Sequence, residues 1–158
     1  MDNKFNLLLA EHPFFRGISE SYIDYLAECA DQITFNSGDY VFRYQKPADE
    51  FYILLEGNVL LLNNIPGKNI IPLETVNAPN IVGWSWVEPP YQWHFDAKAQ
   101  TALKCLSIQA GKLRVKMNTD KEFGFEIYRR FFSVVVDRLQ ASRMQSMDLY
   151  AKPPASYL

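Results

Sequence analysis

From residue 31 to residue 109 the chain is written in short β-type runs separated by turn-formers. QITF, YVFR, FYILLEG, NVLLLNN, NIIPLETV, WHFDAKA and ALKCLSI follow one another, rich in β-branched and aromatic residues. Asn36-Ser37-Gly38 and Lys46-Pro47 punctuate them, and Gly57 suits a hairpin turn between FYILLE and NVLLLNN. Strands of this length and spacing predict an all-β barrel, sandwich or roll.

On either side the apolar period changes to that of a helix. SESYIDYLAECA puts Ile23, Leu26, Ala27 and Ala30 at helical spacing behind Ser19, a candidate cap. After Ile108, GKLRVKM reads as a short helix. Thr119 and Glu122 then stand at capping-box spacing, and no proline interrupts the chain from Phe123 to about Tyr150. Such a run is about 28 residues, or roughly 40 Å of helix. Pro153-Pro154 would stop it. The expected organisation is a single domain over 1–158: helical at 1–30, a β-roll or its like at 31–109, helices at 110–150 and a tail at 151–158.

The last helix is apolar on more than one side. Tyr128, Phe132, Val135, Val136 and Leu139 form one stripe, and Phe123, Ile127, Phe131 and Val134 a neighbouring one. A helix lying on one domain needs a single apolar face. A homodimer through this helix is the expected cover for the other. Arg129, Arg130, Arg138 and Arg143 read as its solvated face, with Arg143 the expected exception.

Composition removes several function classes. A net charge of −2 offers no general attraction to nucleic acid or an anionic membrane. No apolar run has membrane-spanning length, and Asp2 spoils a secretion signal, so the expected location is the cytoplasm. Cys29 and Cys105 are too few for a zinc or iron–sulfur site of their own and read as buried thiols. There is no metal cluster, no nucleophile with a convincing base and no phosphate loop with a following lysine. The expectation is a non-enzymatic protein with no metal or cofactor, and Glu50, Glu56 and Asp96 need no role beyond solubility and turn geometry.

One stretch remains, GWSWVEPPYQWHFDA at 83–97. It holds all three tryptophans of the chain, with Tyr91, Phe95 and His94. Trp86 reads as core. The order of elements and the sequence HPFFRGISESYIDYLAECADQITFNSGDYVFRYQKPADEFYILLEGNVLLL together resemble the cyclic-nucleotide-binding domain family. The Gly38-Asp39 turn and the segment Glu50–Val59 match the family pattern, and DRLQASR at 137–143 is similar to the long helix of catabolite-activator-like members. The resemblance covers about residues 12 to 150. It implies a mainly β fold with flanking helices: an eight-stranded antiparallel β-roll of the double-stranded β-helix, jelly-roll type, with an N-terminal helix and a long C-terminal helix. It also implies a ligand inside the roll.

In that family a Gly-Glu pair opening a short helix meets the cyclic phosphate and ribose, and an Arg followed by a small hydroxyl residue completes the grip. Here Gly83 matches the Gly, Trp84 stands at the Glu, Trp93 at the Arg and His94 at the hydroxyl residue. Losing a charged hydrogen bond of this kind removes on the order of 1.5–3 kcal/mol. Two readings follow. In the first, the protein is a regulatory sensor that holds a cyclic nucleotide weakly or atypically, or another flat small molecule. Its contacts would be Gly83, Trp84, Ser85, Trp93 and His94, together with Ser142 and Arg143 from the last helix. In the second, the indoles plug the hollow and the module binds a partner protein and no small ligand. Only four residues follow Pro154, where regulators of this type carry a helix-turn-helix domain, so no DNA binding by this chain is expected.

Overall fold

The computed structural model describes residues 4–151. Pro153-Pro154 and the tail lie outside the described residues. Helix α1 (Asn6–Glu11), a 3-10 turn (Pro13–Phe15) and α2 (Glu20–Glu28) lead into eight strands. These are β1 (Ala30–Phe35), β2 (Tyr40–Phe42), β3 (Glu50–Glu56), β4 (Asn58–Asn63), β5 (Ile71–Asn77), β6 (Ile81–Val82), β7 (Asp96–Ala99) and β8 (Leu103–Gln109). Helices α3 (Ala110–Thr119) and α4 (Lys121–Ala151) follow. The strands form two four-stranded antiparallel sheets, β1-β8-β3-β6 and β2-β7-β4-β5. This is the expected β-roll with its flanking helices.

The burial pattern follows from where each strand lies. Strand β3 buries Phe51, Tyr52, Ile53 and Leu54 in succession, because one of its faces looks into the roll and the other is covered by the helices. Strand β4 is buried at Val59, Leu61 and Leu62. Gly57 turns the chain between them at φ 88°, and a Cβ there would run into the Ala102 carbonyl oxygen. Only the end of WHFDAKA becomes a strand. Trp93 instead exchanges backbone hydrogen bonds with the 45–46 loop, accepting from Gln45 N at 2.8 Å and donating to Lys46 O at 3.0 Å.

The helix starts differ in detail from the sequence expectation. Asp120 caps α4, accepting from the Phe123 amide at 3.1 Å, while the Thr119 hydroxyl donates back to the Val115 and Lys116 carbonyls and so closes α3. Asp120 wins because a carboxylate at that position accepts the free amide with a full charge. Ser19 occupies the cap position of α2 without a side-chain cap bond.

Phe123, Ile127 and Phe131 seat α4 on the roll. Phe131 packs edge-on against both Phe51 and Trp86, each with ring centres 5.1 Å apart, and Phe14 of the 3-10 turn closes over it at 4.9 Å. Trp86 is fully buried in this knot, as expected of a core residue. His12, just before it, is buried with both ring nitrogens engaged. Nδ1 accepts from the Phe14 amide at 3.1 Å and Nε2 pairs with the Pro79 carbonyl. Burial pulls its pKa below the ordinary histidine value. Tyr128, Phe132 and Leu139 on the second stripe stay exposed.

Candidate functional site

The segment 83–95 closes one end of the roll. Gly83 leaves β6 at φ 94°, a conformation that side-chain-bearing residues rarely adopt, and space forbids one as well: a Cβ would stand 2.7 Å from Trp93 Cη2. The glycine is therefore the seat for an indole. One face of that indole lies on Phe42, with ring centres 3.8 Å apart and planes 12° from parallel. Phe42 in turn stacks toward Tyr52. Trp93 is 4% exposed. Side chains of the roll thus occupy its interior down to a residual hollow of about 30 Å³, room for roughly one water molecule.

Residues 84–90 run as turns, with Val87 N bonded to Trp84 O and Tyr91 N to Glu88 O. No helix opens at Gly83, so the stretch offers no helix N-terminus to an anion. Arg114 of α3 ties the loop down, donating to the Trp86 carbonyl at 2.9 Å and lying 4.2 Å from the Tyr91 ring centre.

Of the residues expected to form the site, Gly83, Trp84, Ser85, Trp93 and His94 do line this one hollow, together with Phe42, Leu61 and Phe95. Trp93 is buried, Trp84 and Ser85 are half-buried, and His94 is exposed at the rim. Ser142 and Arg143 are exposed on α4 and do not line it.

The helix contributes Arg138 instead. Its guanidinium lies 4.9 Å from the Trp84 ring centre, donates to the Ile81 carbonyl and stands 3.7 Å from Glu74. The side chain is 13% exposed. Burial pulls its pKa below the usual arginine value, and Glu74 partly opposes that. The expected solvated face of α4 is corrected here: Arg130 and Arg138 are both largely buried. A signal was present in the spacing. Ile127, Phe131, Val134 and Arg138 follow each other at helical intervals, so the buried stripe simply continues into the arginine.

Two carboxylates also have structural work. Asp96 is buried and accepts from the Tyr44 amide at 2.7 Å and Asn64 Nδ2 at 3.0 Å, with Arg43 Nε 3.3 Å away. Glu50 accepts from Ser107 Oγ at 2.5 Å. Cys29 and Cys105 are buried free thiols, and burial pushes Cys105 up to about 12, far from a reactive thiolate. Among the described residues no three His, Cys, Asp or Glu side chains gather to hold a metal, and no helix is long and apolar enough to cross a membrane.

This architecture has relatives. The cyclic nucleotide-binding domain family matches the sequence over residues 32–120, more than half of the chain. A cyclic nucleotide-binding domain from Methylobacillus flagellatus KT is similar at TM-score 0.80 and 16% identity, over 96% of this chain and 88% of that one. The regulatory domain of Toxoplasma gondii PKA, solved with cAMP, is similar at TM-score 0.66 and 16% identity, over 80% of this chain and 49% of that one. The regulatory subunit of a cAMP-independent protein kinase A from Trypanosoma brucei is similar at TM-score 0.61 and 21% identity, over 81% and 50%. No curated protein matches the sequence itself. At these identities the structural likeness speaks to the fold alone.

Proposed function

Because the chain belongs to the cyclic nucleotide-binding domain family, we propose that it is a regulatory module whose ligand hollow is filled by its own side chains. One observation carries this reading. The Trp93 indole is stacked on Phe42 with the end of its six-membered ring against Gly83, and the hollow beside Gly83 is about 30 Å³. Sites for small molecules have volumes of roughly 300–1,000 Å³. A cyclic nucleotide would have to expel a buried aromatic side chain and forfeit its packing before making any contact of its own. The Trypanosoma structure, the regulatory subunit of a cAMP-independent kinase, is a precedent for this fold without a cAMP response.

The test is thermal. A ligand at about a hundred times its Kd adds about 2.7 kcal/mol to stability. At about 2–4 °C per kcal/mol for a chain of this size, that would be a plainly measurable rise in Tm. Neither cyclic AMP nor cyclic GMP at millimolar concentration is expected to move the Tm. A saturable rise with either would overturn the filled-hollow reading. It would favour the atypical sensor instead, for which the burial of Arg138 beside Trp84 provides a cation.

With the interior closed, the working surface is external. The exposed stripe of α4 continues as Phe125, Tyr128, Phe132, Val135 and Leu139, alternating steps of three and four, the spacing of a two-helix seam. We propose that a second copy covers it. Sedimentation velocity at micromolar concentration is expected to show twice the 18.3 kDa chain mass, and Phe132→Glu to return it to the single chain. A single-chain species for the unsubstituted protein would leave the stripe to a different partner protein and overturn the dimer.

A further inference from the structure

A second cleft, larger than the hollow, lies elsewhere on the described residues. It is a groove of about 580 Å³ between α4 on one side and the 3-10 turn, β5 and β6 on the other. Arg129, Arg130 and Arg138 line it, against two carboxylates, Glu74 and Asp137. Two of these cations are incompletely satisfied. The Arg130 side chain is only 10% exposed. Its Nη1 donates to the Phe14 carbonyl at 2.6 Å and the Arg16 carbonyl at 3.1 Å, and its Nη2 to Glu126 at 3.2 Å. Its Nε is buried with no hydrogen-bond partner. Arg138 likewise has Nη1 buried with none, since Glu74 at 3.7 Å is beyond hydrogen-bonding distance. Each arginine has one acid beside it, Glu126 for Arg130 and Glu74 for Arg138, yet one N–H nitrogen of each is left without an acceptor, and a buried cationic N–H without an acceptor is expensive. His12, on the same groove, has both nitrogens committed and offers nothing.

We propose that this groove is a second ligand site, for a small molecule bearing oxyanion groups, phosphate or carboxylate. A guanidinium with an N–H left unpaired is a side chain well matched to either. Arg130 and Arg138 are eight residues apart on one helix, about 12 Å along its axis, which suits a ligand with more than one oxyanion group rather than a lone ion. Ser133, between them in the helix, also lines the groove. Arg138 also touches Trp84 at the rim of the filled hollow, so occupation of the groove is felt at that indole. The proposal rests on the groove alone and does not depend on the hollow being filled.

The test titrates the full chain with tripolyphosphate and, separately, citrate, against sodium chloride at matched ionic strength, following tryptophan emission and Tm. A saturable change with at least one probe, absent in the salt control, is expected. A response to tripolyphosphate alone identifies phosphate, to citrate alone carboxylate, and to both the shared oxyanion. Arg130→Gln is expected to weaken binding by at least about tenfold, the loss of one charge-assisted contact. Ser133 is exposed, so Ser133→Glu puts a negative charge on the groove lining and should abolish binding while the Tm without ligand stays put. No saturable change with either probe would overturn the site, as would a response that survives Ser133→Glu unaltered.

Discussion

Trp93→Ala is expected to cost the fold about 3–5 kcal/mol, the range for removing a buried large aromatic side chain. The indole is 4% exposed and stacked on Phe42 at 3.8 Å, with Gly83 pressed against the end of its six-membered ring. The glycine cannot grow into the space, and β6 is held by its pairing with β3, so the walls relax little and a void remains. Urea denaturation measures the loss. Trp93→Phe should lose clearly less, because a ring still lies on Phe42. A dry aromatic-lined void also binds small apolar guests. Added indole should therefore return part of the lost Tm in Trp93→Ala and do nothing to the unsubstituted protein. A loss under about 1 kcal/mol would mean that the indole is not packed as an interior residue, and the filled hollow would fall with it.

Asp96→Ala is the second large effect, about 1–3 kcal/mol, the cost of leaving the Tyr44 amide without its acceptor while the half-exposed Arg43 returns to solvent. The carboxylate joins two separate loops by three contacts: the Arg43 guanidinium and the Tyr44 amide after β2, and Asn64 after β4. It sits at the first residue of β7, the central strand between β2 and β4. Without it the loops at this end of the roll lose their common acceptor. Asp96→Asn keeps the shape and one acceptor oxygen, so it should lose less. Equal losses for the two variants would show that the charge contributes nothing and that only the volume matters. Because Asp96 lies three residues after Trp93, its loss should also loosen the indole and shift tryptophan emission, which a purely distant structural defect would not do.

Both effects concern residues that sequence reasoning treated unequally. The tryptophans stood out because aromatic residues concentrated in fifteen positions are visible without any fold. Whether they line or fill a hollow was not visible, because that depends on Phe42 and Gly83, which meet Trp93 from other strands. Asp96 was passed over as an ordinary surface acid. Its three partners lie 32 to 53 positions back along the chain, and no local pattern marks a carboxylate for burial. Arg138 was misplaced for a different reason. A charge on a helix is normally solvated, and the helical spacing that carried it under Trp84 was readable but outweighed by that rule. The α4 cap shows the smallest version of the same limit. Thr119 and Asp120 are adjacent and both can cap, and the choice was made by where α3 ends.

The strands and the flanking helices were determined by the chain alone, since apolar period, turn-formers and helix signals act over a few neighbouring residues. That pattern left barrel, sandwich and roll open, and the roll was implied by the resemblance of residues 12 to 150 to a known family. What the hollow contains, which arginine reaches it and which acid is buried were decided only in three dimensions. Those outcomes depend on close packing and charge pairing between residues far apart in the chain, and distances of that kind are set by the whole fold and by nothing local.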